Sequence, residues 1–84
     1  MTQEILDIDV VSERASEGVY GDGNTLQFEV DLVNAIKEEY GLSTKQAELV
    51  YRMSYEEGHS SGYHEIINYV YDFGPFAKYI LSFA

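Results

Sequence analysis

A helical phase in the second half of the chain constrains the fold more than any other feature. Apolar or small residues recur as Ala47, Tyr51, Ser54, Gly58, Gly62, Ile66, Tyr69 and Phe73, at steps of 4, 3, 4, 4, 4, 3 and 4. Those steps follow one face of a helix with 3.6 residues per turn. Ser43-x-x-Gln46 is a capping-box signature that starts the helix near residue 44. Gly74-Pro75 ends it, and Pro75 suits the first turn of a final helical segment carrying Phe76, Ala77, Tyr79, Ile80 and Phe83. A loop at 58–62 is expected to scramble the phase. The spacing therefore predicts one helix over 44–73, despite a propensity cost of about 1 kcal/mol per glycine.

The first half is less periodic. Leu26, Phe28, Val30 and Leu32 alternate with polar residues like a strand, whereas Leu32, Val33, Ile36 and Tyr40 keep helical spacing. With Asn24-x-x-Gln27 as a capping box and Gly41 as a stop, the favoured reading is a helix over about 27–40, with a short strand ahead of it as the alternative. Leu6, Ile8 and Val10 alternate with Asp7 and Asp9, which predicts a short strand or extended arm over 4–11. Residues 12–24 read as loop and turn. Their Gly21-Asp22-Gly23-Asn24 cluster is not a calcium loop, because the twelfth position from Asp22 is Val33 rather than Glu.

The expected fold class is therefore mainly α: a small helical domain with a long C-terminal helix and a short extended or β N-terminal segment. Residues 1–84 form a single domain, with 1–24 an extended acidic segment and turn and 25–84 helical. A chain of 84 residues has a thin core, and without cysteine no disulfide supports it. Eight tyrosines and no tryptophan must supply much of that core, each hydroxyl kept at the water boundary. Tyr55, Tyr63 and Tyr71 recur every eight residues and are expected along an exposed flank.

Charge carries the strongest compositional signal. Fifteen acids against five bases give a net charge of −10. Ten of the acids lie in residues 1–40, opposed only by Arg14 and Lys37. Direct binding to nucleic acid or an anionic membrane is disfavoured, since both recruit Lys and Arg. A basic protein surface is favoured, and solubility is the plainer use of the same charge. Met1-Thr2-Gln3-Glu4 lacks the basic start of a signal peptide, and uninterrupted apolar runs reach only two or three residues. A cytoplasmic setting is expected.

Few residues suggest chemistry. Gly58-x-x-x-Gly62, flanked by Ser54 and Ser61, forms a small-residue notch where another backbone can approach. Internal packing is the first reading and a subunit contact the second. His59 and His64 are five apart, about 140° around a helix, whereas a shared metal face needs three or four. Surface histidines are expected, with no metal and no cofactor. Ser60 and Ser61 beside histidines lack the convergence of a catalytic triad, and no nucleophile elbow or phosphate loop is present. An enzyme is not expected.

The stretch Gln46–Tyr51 with Tyr55–Ile66 resembles a helical pattern in small tailed-phage proteins of unknown function. Its most specific part is the Gly-His-Ser-Ser-Gly-Tyr-x-Glu run from Gly58 to Glu65. The resemblance covers about a third of the chain and implies a phage setting, with the host cytoplasm as the place of action, but no activity. Small acidic phage proteins often antagonise host machinery. The leading expectation is an inhibitor that occupies a basic, nucleic-acid-handling host surface by mimicry or occlusion, such as an anti-CRISPR or anti-restriction protein. It would use Glu4, Asp7, Asp9, Glu13, Glu17, Glu29, Asp31, Glu38 and Glu39. The alternative is a structural or assembly protein, such as a homodimer, that self-associates through its apolar helices and the notch.

Overall fold

The computed structural model describes residues 7–21 and 25–80. Asp7 opens the first helix, not a strand. Its backbone is extended at φ −125°, ψ 175°, and its carboxylate accepts the Val10 N–H at 2.8 Å, as an N-cap does. Helix α1 then runs Ile8–Ser16. Ile8 and Val11 are buried and Ala15 packs beside them, so the apolar spacing is three and four. The expected extended segment is overturned over 8–11, and the expected loop over 12–16, where α1 continues. Glu4, Ile5 and Leu6 lie outside the described residues.

Helix α2 spans Thr25–Tyr40 and begins where the alternative strand was placed. Phe28, Leu32, Ala35 and Ile36 are fully buried, while Leu26 and Val30 face solvent. Helical geometry thus divides the alternating residues, and no strand occurs among the described residues. Asn24 of the expected capping box lies outside them. Gly41, at φ +63°, turns the chain in the left-handed conformation that glycine adopts at helix ends. Helix α3, Thr44–Gly58, opens with the complete capping box: Ser43 Oγ accepts the Gln46 N–H at 3.2 Å, and the Gln46 side chain accepts the Ser43 N–H at 3.0 Å.

The long helix predicted over 44–73 is two helices. α3 stops at Gly58 and α4 occupies Tyr63–Phe73. Between them Gly62 adopts φ +109°, ψ 179°, a region essentially reserved for glycine. The Ser61 N–H donates to the Gly58 carbonyl at 3.0 Å. The connector is about one helical turn long, so it carries the apolar phase across the break. Buried residues of α4 are Ile66, Ile67 and Val70, while Tyr69 and Phe73 are half-buried.

α2 packs against α1 and α3, and α4 packs against α3 and α1, so four helices enclose one core. A 3-10 turn, Gly74–Phe76, leads into the single turn α5, Ala77–Ile80, with Pro75 in the first turn as expected. Gly74 seats against the Tyr40 ring, where a Cβ would overlap it. An aromatic group fills the centre: Phe28 lies 4.4 Å from Tyr63 and 5.3 Å from Tyr20, centroid to centroid. Tyr55, Tyr63 and Tyr71 do not share a flank. They lie on two helices, and Tyr63 turns inward with its hydroxyl on the Gly21 carbonyl at 2.8 Å. Among the described residues no helix is long and apolar enough to cross a membrane.

Candidate functional site

The acids sort by the helix face that carries them. Asp9 and Glu13 on α1 and Glu17 at its C-cap follow one another at four-residue steps, and all are exposed. Four residues of helix rise about 6 Å, so their carboxylates form a stripe. Tyr71, from α4, donates its hydroxyl to Asp9 at 3.3 Å. Its pKa is raised by partial burial first, then by Asp9, with Tyr40 and Glu39 adding to the effect. Glu38 and Glu39 are both exposed at the end of α2.

Three of the nine predicted acids, Asp7, Asp31 and Glu29, do other work or lie elsewhere. Asp7 is the half-buried cap of α1. Glu4 is outside the described residues. Asp31 is only 5% exposed, so it is not a surface carboxylate. Its Oδ2 accepts the Tyr20 hydroxyl at 2.8 Å and an Arg14 N–H at 3.2 Å, and its Oδ1 accepts the Gln27 amide at 2.9 Å. The pair with Arg14 balances its charge, and the network ties α1, the following turn and α2 together. Burial, followed by the Asp31 hydrogen bond, raises the Tyr20 pKa far above its ordinary value. This tyrosine hydroxyl sits in the interior rather than at the expected water boundary.

Glu29 points to a different place. With Glu48 and Arg52 it borders a groove of about 330 Å³ between α2 and α3, lined also by Leu26, Val33, Tyr51 and Tyr55. The groove was not anticipated. Its signal was Leu26, Glu29 and Val33 on α2 facing Glu48, Tyr51, Arg52 and Tyr55 on α3, both at three- and four-residue steps.

The notch residues separate as well. Ser54 and Gly58 are buried. A Cβ on Gly58 would lie 2.9 Å from the Glu65 carbonyl carbon and the Ile66 nitrogen, so the start of α4 fills the notch. Ser61 and Gly62 are exposed in the connector, and nothing approaches a Cβ built on Gly62 within 4 Å. At Gly58 the notch is an internal corner between α3 and α4. His59 caps α3, its ring stacked on Tyr55 at 5.2 Å, while His64 Nε2 lies 3.1 Å from Ser16 Oγ. No group of three or more metal-ligating side chains assembles among the described residues.

The fold and its surfaces define a class: an acidic four-helix domain with an exposed carboxylate stripe and a groove between two helices. The chain belongs to a family of unknown function, DUF8546, whose profile matches residues 13–79. No curated protein and no solved structure matches it. The matched span starts within α1, ends in α5 and contains every groove residue.

Proposed function

We propose that this protein is a phage-type antagonist that docks its acidic surface on a basic, nucleic-acid-handling surface of a host protein and blocks it. The observation that carries this reading is the exposed row Asp9, Glu13 and Glu17 along α1 and its C-cap, with Glu38 and Glu39 also exposed at the end of α2. The first three stand about one helical turn apart, which gives a basic partner a fixed array of countercharges. A net charge of −10 adds long-range attraction to such a partner. Anti-CRISPR and anti-restriction inhibitors are the kinds of antagonist that fit, and the setting comes from the phage-like Gly58–Glu65 run. No catalysis is needed for this role.

A second reading, a self-associating assembly protein, draws on Leu26 (71% exposed), Val30 (47%), Phe76 (59%) and Tyr79 (76%). Repulsion between copies that each carry −10 works against it. Affinity capture from a bacterial lysate at low and high salt, with light scattering of the purified protein, separates the two. The antagonist reading expects a monomer that retains a basic nucleic-acid-binding protein at low salt and releases it at high salt. A stable oligomer that retains no such protein would instead support assembly.

A further inference from the structure

The groove between α2 and α3 lies apart from the α1 stripe and carries its own chemistry. Glu29 on α2 and Glu48 on α3 border it, with Val33, Tyr51 and Tyr55 supplying apolar and aromatic surface. Arg52, the single base there, follows Glu48 by four residues, yet among the described residues it forms no ion pair with Glu48 or Glu29. Both carboxylates are therefore left for an incoming cation. Tyr51 is almost fully buried, and burial first and the Glu29 charge second raise its pKa. Tyr55 is half-buried and its ring lies 5.9 Å from that of Tyr51.

We propose that this groove receives an arginine side chain from a basic segment of the partner protein. The inference rests on the partner being basic, as the acidic surface proposes, and adds what the groove selects. A guanidinium is planar and weakly hydrated; it packs against aromatic side chains and donates two parallel hydrogen bonds to a carboxylate. Its aliphatic stem can lie along Val33. A lysine ammonium is a compact, strongly hydrated charge that uses the rings and the paired oxygens less well. An anionic ligand would meet Glu29 and Glu48. A second copy would bring another −10 to the encounter, so charge complementarity selects a cationic partner.

The test is an NMR titration of the full-length 15N-labelled protein with three end-blocked tripeptides, Leu-Arg-Leu, Leu-Lys-Leu and Leu-Gln-Leu. The arginine peptide is expected to shift the amides of Glu29, Val33, Glu48 and Tyr55, with a Kd on the order of millimolar. The lysine peptide should bind about threefold or more weakly, and the glutamine peptide should leave the groove unmoved. Glu29 and Glu48 are exposed, so the Glu29→Gln, Glu48→Gln double variant should keep its helical circular dichroism and lose the arginine-induced shifts. Equal binding of lysine, retained binding by the double variant, or no groove shifts up to the solubility limit would each overturn the proposal. Shifts confined to Asp9, Glu13 and Glu17 would also overturn it, while leaving the acidic-surface reading intact. Conversely, failure to capture a basic partner would not alter what the titration reads at the groove.

Discussion

Asp31 joins three separate stretches of chain through one carboxylate: Arg14 on α1, Tyr20 in the turn after it, and Gln27 on its own helix. Asp31→Ala would strand a buried tyrosine hydroxyl and leave Arg14 without this countercharge. Such losses typically cost about 2–4 kcal/mol, and urea unfolding should show a drop of that size. Asp31→Asn keeps acceptor capacity and should cost less. The buried role was legible only in the helical phase, where Asp31 stands three residues after Phe28 and four before Ala35. Alternation with Glu29 suggested an exposed row instead.

Four tyrosines set an alkaline limit. Tyr20, Tyr40, Tyr51 and Tyr71 all have raised pKa values, and burial is the first cause at each. The folded state thus holds these protons more tightly than the unfolded chain, whose tyrosines ionise near pH 10. Their stabilisation is complete below about pH 10 and is lost as pH rises through the folded-state values. Far-UV circular dichroism should report unfolding above that pH, together with phenolate absorbance. Tyr51→Phe should make the pH dependence shallower, because one of the protons is gone. Full helicity alongside complete tyrosine ionisation would contradict this.

At the scale of elements, local signals were legible and the corner between α3 and α4 was not. Ser43 and Gln46 cap α3, Gly41 stops α2, and Pro75 begins the last helical segment, because each acts within a few residues of itself. The corner was hidden because a connector of about one turn preserves helical phase. The N-terminal strand was misread for a related reason: Leu6, Ile8 and Val10 alternate, yet Ile8, Val11 and Ala15 also fit a helix, and Asp7 caps it. The two corner glycines act differently. Gly58→Ala pushes a methyl group into the α4 backbone and should cost about 1–3 kcal/mol through packing. Gly62→Ala should cost about 1–3 kcal/mol through backbone strain, and Gly62→Leu about the same, since there is open space around that position. Thermal unfolding of the three variants checks this; a far larger cost for leucine than for alanine at Gly62 would mean that something packs there.

For the whole molecule, the mainly helical class was readable from periodicity, but the grouping of charges was not. The sequence presents nine candidate acids in one row of numbers. Folding buries Asp31, uses Asp7 as a cap, sends Glu29 to the groove, and leaves Asp9 exposed beside Tyr71. Only the three-dimensional arrangement of the helices makes that selection. The most direct measurement is the Kd for the captured basic partner as a function of salt, for the natural protein and for an Asp9→Asn, Glu13→Gln, Glu17→Gln variant. The natural protein should lose affinity steeply as salt rises, while the variant should bind more weakly at low salt with a shallower dependence. Affinity indifferent to salt, or unchanged by neutralising the α1 row, would contradict an acidic docking surface.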